Sequence, residues 1–141
     1  MESVQIVIDT NVFVSAIKND TGASFLLLSL IGKGEFELNI SVPLMMEYES
    51  VTKRFLSQTN LTRSYLNDIL DYICLASNKH EINYLWRPFL KDPKDDFVLE
   101  LAVKARSQYI ITFNKKDFKN IHQFGIKAMT PWEFLKERGL L

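Results

Sequence analysis

Gln5-Ile6-Val7-Ile8-Asp9-Thr10-Asn11-Val12-Phe13 is the stretch on which the reading of this chain turns. From Val4 to Ile8 the run is β-branched and nearly continuous, which suits a central strand covered on both faces. It stops at a carboxylate and restarts in a helix-like pattern, with Thr10 or Asn11 expected to cap a helix reaching Ala16. In an open parallel sheet ligands gather outside the carboxyl ends of the strands, so Asp9 is aimed at a site. A charge that closes an apolar strand needs compensation, and a metal or a ligand commonly supplies it.

The whole chain sets the bounds around that stretch. Its 141 residues, 47% of them apolar, suffice for one domain with a real core, and one domain over 1–141 is expected. Seventeen basic and seventeen acidic side chains cancel, so no whole-molecule field draws the protein onto nucleic acid or an anionic membrane. A polyanionic partner must then be held by a local patch or a metal. The single cysteine, Cys74, excludes an internal disulfide, fits a reducing cytosol and reads as a core residue within Ile73-Cys74-Leu75-Ala76. Met1-Glu2-Ser3 offers no basic leader, and the longest apolar stretch, Phe25 to Ile31, is too short to span a membrane. A soluble, cytoplasmic protein is expected.

Taken in order, the pattern predicts a second helix over Ala23–Ile31 closed by Gly32-Lys33-Gly34, and a second strand over Phe36–Ile40. Ser41-Val42-Pro43 opens a third helix to about Leu56, with Leu44, Tyr48, Val51 and Phe55 on one face. A fourth helix follows Asn60-Leu61-Thr62 and runs to about Ala76, packing through Tyr65, Ile69, Tyr72, Ile73 and Ala76. A brief edge strand is expected near Glu81–Asn83, then a proline-marked loop and a helix from Pro93 to Arg106. A strand over Gln108–Thr112, a turn from Asn114 to Phe118, a last strand at Lys127–Met129 and a short helix from Pro131 complete an α/β layered domain with a mostly parallel sheet.

Helical periodicity sorts the acids. In Asp92-Pro93-Lys94-Asp95-Asp96, Asp92 reads as an N-cap before proline, whereas Asp96, Glu100, Lys104 and Ser107 form a stripe expected to face solvent. Asp95 aligns with Val98, Ala102 and Ala105 and so stands at a cleft edge. On the third helix Glu47 borders the apolar face, while Glu49 pairs with Lys53 one turn on. After the strand Tyr109-Ile110-Ile111-Thr112 the first polar residue is an amide, Asn114, and the acid, Asp117, comes three later. Asn114 can lend an oxygen to a metal or orient a water without adding charge. Asp117 reads equally as a turn acid or a catalytic one.

Ile8-Asp9-Thr10-Asn11-Val12, Glu47-Tyr48, Asp92-Pro93-Lys94-Asp95 and Ile111-Thr112-Phe113-Asn114, in that order, resemble the PIN domain family. The order and spacing are most similar to bacterial and archaeal VapC-like toxin components, down to the ending Thr130-Pro131-Trp132-Glu133-Phe134. The resemblance implies a three-layer α/β/α sandwich with a mostly parallel five-stranded sheet of order 3-2-1-4-5, and a metal-dependent ribonuclease. It implies Asp9, Glu47 and Asp95 as catalytic acids and metal ligands, with Asn114 where many members carry a fourth aspartate. Thr10, Asn11 and Thr112 match the family's supporting polar positions. As the toxin of a toxin–antitoxin pair, the protein is expected to meet RNA as substrate and a protein antitoxin, and to form a homodimer.

Carboxylates brought together raise one another's pKa unless a divalent cation neutralises them. Oxygen-only donors favour Mg2+ or Mn2+, and no His or Cys cluster calls for zinc; His80 and His122 read as surface or structural. The ion's expected role is to acidify a water that attacks a phosphodiester in line, and the family analogy gives 5′-phosphate and 3′-hydroxyl products. Lys115, Lys116 and Lys119 after the fourth strand, with Lys53 and Arg54 ending the third helix, are the candidate phosphate contacts. A catalytically weak PIN-like binding module is the alternative, and Asn114 favours it. A receiver-like phosphoacceptor domain fits poorly, because only Glu2 precedes Asp9 among the acids.

Overall fold

The computed structural model describes residues 3–82, 90 and 92–141. Five strands form one parallel sheet: β1 (Gln5–Ile8), β2 (Glu37–Ser41), β3 (Asn78–His80), β4 (Tyr109–Ile111) and β5 (Lys127–Met129). Their order is β3-β2-β1-β4-β5, as the resemblance implied. All four pairings are parallel, with Ile6 opposite Leu38 on one side and Ile8 opposite Ile111 on the other. Six helices flank it: α1 (Thr10–Lys18), α2 (Ala23–Ser29), α3 (Val42–Arg54), α4 (Arg63–Ala76), α5 (Pro93–Lys104) and α6 (Pro131–Glu137). The central β1 is covered on both faces, which is why Ile6, Val7 and Ile8 are all fully buried. No helix among the described residues is long and apolar enough to cross a membrane.

Asp9 itself joins β1 to α1, one residue earlier than the expected cap. Its amide donates to the Ile111 carbonyl (2.9 Å), extending the ladder, while its own carbonyl accepts from Val12 (3.1 Å) and starts the helix. Its side chain accepts from the Thr10 amide (2.8 Å), as an N-cap does. The site acid is thus tied to both elements by backbone geometry. Ser41 caps α3 and Thr62 caps α4 through side-chain oxygens.

Several expectations are corrected. The third helix ends at Arg54, with a short 3-10 turn at Leu56–Gln58 taking its place. The edge strand lies at Asn78–His80, ahead of the expected Glu81–Asn83, whose last residue falls outside the described residues, as does most of the proline-marked loop. In α4 the buried positions are Leu66, Leu70 and Ile73, one residue on from the tyrosine stripe, and Tyr65 and Tyr72 are half-exposed. A tyrosine can pack its ring and still keep its hydroxyl at the edge: Tyr72 donates to the Ile31 carbonyl (2.7 Å). Gly32 makes that approach possible, since a Cβ there would fall 2.6 Å from the Tyr72 hydroxyl and its φ is +80°. Cys74 is exposed, because one residue past Ile73 the helix has turned about 100° away from the core.

The charged stripe of α5 also departs from expectation: Asp96, Glu100 and Ser107 are buried, and only Lys104 is exposed. The helix packs on most of its circumference, with Val98, Leu99, Leu101 and Ala102 buried as well. Asp96 tolerates this by accepting the Leu90 amide (2.9 Å). Periodicity located the stripe, but a polar residue follows solvent only where a helix has a free face.

Candidate active site

Beyond the carboxyl ends of β1 and β4 lies a cleft of about 370 Å3 into which four chain segments bring carboxylates: Asp9, Glu47, Asp92 with Asp95, and Asp117. Asn114, Asn11 and Thr10 complete its polar wall, and Val14 and Val51 supply an apolar edge. Two other grooves are as roomy. One runs along α4 and one lies beside β3, but both are walled mainly by apolar side chains and neither gathers acids.

Each cleft side chain is placed by the element that carries it. Asp9 is buried at the end of the central strand, with one carboxylate oxygen bound to the Thr10 amide and the other accepting from the Thr112 hydroxyl at 2.8 Å. That hydroxyl in turn accepts from the Asn114 amide (3.0 Å), and Asn11 lies against the same turn through contacts to Thr112 Oγ1 (3.5 Å) and the Phe113 amide (3.4 Å). Two oxygens with about four lone-pair sites are therefore half used, and the remaining ones are free for a cation or a proton. Glu47 follows from α3, and its neighbour Tyr48 anchors that helix: the buried Tyr48 hydroxyl donates to the Ile8 carbonyl, and its ring stacks on Phe13 with centroids 4.6 Å apart. The contact ties the segment carrying Glu47 to the residue before Asp9. Asp92 gives its carbonyl to the Asp95 amide (3.0 Å), so Asp95 sits in the first turn of α5.

Two of these carboxyls are held above their ordinary range. Burial first, then the charges of Asp9, Asp92, Asp117 and Glu47, push the Asp95 carboxyl up from 3.8 to about 7. Burial also raises Asp9, against the lowering effect of its bonds from Thr112 and Thr10, with Glu47 and Asp117 adding to the rise. Tyr48 is raised well above its ordinary range by burial and by Asp9 and Glu47, so its hydroxyl stays a donor. Mutually repelling carboxylates in a partly buried cleft are the setting in which a divalent cation is bound.

The donor set fits such an ion. Among the described residues every ionisable group lining the cleft is a carboxylate, and the nearby amide and hydroxyl groups also offer oxygen, which suits Mg2+ or Mn2+. The Thr10 hydroxyl, also on the cleft wall, is buried without a hydrogen-bond partner among the described residues. The acids share a space without meeting at a point: no three His, Cys, Asp or Glu side chains among the described residues form a ready-made cage. Like charges relax apart until a cation draws them in.

The site residues expected from sequence therefore divide in two. Asp9, Thr10, Asn11, Glu47, Asp95, Asn114 and Asp117 line one cleft, and Thr112 binds Asp9 from beneath it. The basic candidates stand outside its wall: Lys53 is paired with Glu49 (3.2 Å), Lys115 is paired with Glu133 (2.9 Å), and Arg54, Lys116 and Lys119 are exposed. His80 is not among the residues that line the cleft and lies 2.8 Å from Asn39 Oδ1. Sequence reasoning missed two contributors. Asp92 lines the cleft besides opening α5, a role its place in a run of three acids could have suggested, and Tyr48 acts through a contact that no local pattern encodes.

Comparison with known proteins agrees with this architecture. The family model described as PIN domain matches residues 5–116. Among solved structures, the chain is similar to VapBC2 from Rickettsia felis, a crystal structure bound to a DNA fragment from their promoter. The TM-score is 0.59 at 16% identity, with 90% of this chain and 98% of that chain covered. No curated protein matches by sequence. The chain belongs to the PIN domain family, whose members are generally nucleases.

Proposed function

We propose that this chain is a metal-dependent endoribonuclease, the toxin of a toxin–antitoxin pair, folded as one domain over residues 1–141. The observation that carries the reading is the delivery of Asp9, Glu47 and Asp95 from three distant segments to one cleft, where Asp95 is pushed up to about 7. In this reading Asp9, Glu47 and Asp95 hold Mg2+ or Mn2+. Such an ion supplies positive charge for the phosphoryl oxygens and acidity for an attacking water. Thr112, held by the Asn114 amide, fixes the rotamer of Asp9. Asn11 braces the same turn, and the Thr10 hydroxyl is available to a polar ligand in the cleft. Asn114 and Asp117 stand where they can position the attacking water, and Asp117 can accept a proton from it.

The likeness to VapBC2 supports an antitoxin partner, and the neutral overall charge makes local contacts through Arg54, Lys116 and Lys119 the means of holding RNA. A homodimer in the cytoplasm completes the reading. Its test is Mn2+-dependent cleavage of RNA by the purified protein, with Asp9→Asn and Asp95→Asn as controls. Cleavage that both variants retain in full rejects the assignment. Asn114 on the cleft wall, an amide where a further acid would strengthen metal binding, favours a second reading as a weakly catalytic binding module. RNA binding without cleavage across Mg2+ and Mn2+ selects that one.

A further inference from the structure

Among the described residues no aromatic side chain lines the cleft, whereas large aromatic side chains stand exposed just after β4 and β5. Phe113 directly follows Thr112, the partner of Asp9, and is 47% exposed. Trp132 lies in the first turn of α6, just after β5, and is 50% exposed. The two segments are bound together twice: the Thr112 amide donates to the Met129 carbonyl (2.9 Å), and Lys115 pairs with Glu133 (2.9 Å). Phe113 lies two residues before that lysine and Trp132 one residue before that glutamate, so the ion pair joins the two segments that carry the rings. Asn114, the residue after Phe113, is already on the cleft wall.

Core packing does not account for these rings. In α6 the buried positions are Pro131, Phe134 and Leu135, and in the loop after β4 the buried neighbours of Phe113 are Ile111 and Thr112. The surroundings are cationic. The Lys136 ammonium lies over the Trp132 ring, 4.7 Å from its centroid, and Lys116 is exposed beside Phe113 in sequence. Exposed aromatic rings with cations nearby, on segments joined to one that lines a cleft suited to phosphodiester chemistry, have the composition of a single-strand nucleic-acid platform, in which bases stack and ammonium groups meet phosphates.

We propose that Phe113 and Trp132 form a stacking shelf for unpaired bases of the RNA flanking the phosphodiester in the acid cleft. The inference rests on the ribonuclease reading and names two residues that would grip the strand, because unpaired bases present their faces for stacking and paired ones do not. Lys115, held by Glu133, serves the shelf as a brace, leaving Lys116 as the phosphate contact.

The test is a binding titration with Ca2+ in place of Mg2+, using a fluorescein-labelled ten-nucleotide single-stranded RNA and a hairpin stem of the same composition. Phe113→Ala and Trp132→Ala should each weaken binding of the single strand by roughly 5- to 100-fold, the range for loss of one stacked base. Phe113→Tyr and Trp132→Phe should restore most of it, melting temperatures should be unchanged, and stem binding should barely move. The single strand should also quench indole emission in the wild type and not in Trp132→Phe. An unchanged affinity in the double alanine variant, or equal losses on stem and single strand, overturns the shelf and leaves the rings to a protein partner. Cleavage is read separately. A wild type that cleaves, with a double variant of the same KM, sinks the shelf alone, whereas ring-dependent binding without any cleavage upholds the shelf and sinks the nuclease reading.

Discussion

From the amino ends of β1 and β2 across to β3, Gln5, Glu37, Asn39, Asn78 and His80 bind one another, whereas beyond the carboxyl ends of β1 and β4 Asp9, Glu47, Asp92, Asp95 and Asp117 line one cleft. The first group is closed by neutral amides. The Gln5 amide nitrogen donates to Glu37 (2.7 Å), the Gln5 oxygen accepts from Asn39 (2.9 Å) and Asn78 (3.3 Å), and the buried Asn39 passes the chain to His80 (2.8 Å). In the second group hydrogen bonds from Thr10 and Thr112 hold Asp9 in place, and burial and neighbouring charge raise Asp95. One end of the sheet uses polarity to specify register, and the other gathers like charges that raise Asp95 and Asp9. The two ends should therefore fail differently when broken.

The largest effect is expected at Asp9. Asp9→Asn removes the charge and one of the two acceptor oxygens that Thr10 and Thr112 share, so RNA cleavage should fall by roughly 100- to 1000-fold, the scale for losing a group that acts on transition-state charge. Thermal stability should hold or rise, since a buried carboxylate beside like charges is replaced by a neutral amide. A variant that loses activity only by unfolding, shown by circular dichroism, would erase the distinction between the two ends.

Thr112→Val sharpens the same point from beneath the cleft. It removes the hydroxyl that both accepts from Asn114 and donates to Asp9. Loss of a bond that orients a ligand should weaken Mn2+ binding by roughly 10- to 100-fold, read by calorimetry, with Thr112→Ser recovering most of it. Equal Mn2+ affinity in wild type and Thr112→Val would mean that Asp9 needs no support from β4.

Asn39→Ala probes the other end, where the reverse pattern is expected. Its loss leaves Gln5, His80 and the Ile6 carbonyl short of a partner in a buried setting, which should cost about 1–3 kcal/mol of stability. Cleavage per folded molecule should be unchanged, because no residue of that network lines the acid cleft. Urea denaturation together with activity at a temperature well below the transition separates the two quantities.

How much of this was legible in the sequence follows the same division. A buried parallel sheet was readable because β1 is a run of β-branched residues, and its carboxylate end pointed to the cleft without any tertiary knowledge. Asp95 was separated from Asp96 by helical phase, and Asp95 does line the cleft while Asp96 does not. What could not be read was anything set by packing between elements. The burial of Asp96 and Glu100 depends on what covers α5, the exposure of Cys74 on a shift of one position in the buried face of α4, and the anchoring role of Tyr48 on a contact 40 residues away in sequence. The Gln5–Asn39–His80 chain was equally silent, because amides paired across three strands leave no periodic trace.

The smallest effect expected, and the most direct measure of stored charge, is the pH dependence of stability without metal. Asp95 titrates near 7 in the folded protein and near 3.8 when unfolded. Between those values the folded chain binds more protons than the unfolded one, so its stability falls as pH rises through that window. The contribution is fully present below about 3.8 and lost once the pH passes about 7. Raised Asp9 acts in the same direction. Because Asp95 is only partly buried, solvent screening reduces the effect, and in EDTA the melting temperature should drop by roughly 2–4 °C, corresponding to about 1 kcal/mol, between pH 5.5 and 7.5. Asp95→Asn should flatten that slope. Mn2+ should reverse it, since a cation favours the ionised acids and its binding strengthens as they lose protons. Asn39→Ala should lower the whole curve while keeping its shape. A slope that survives in Asp95→Asn, or one that Asn39→Ala abolishes, would place the titrating charge elsewhere and remove the contrast between the two ends of the sheet.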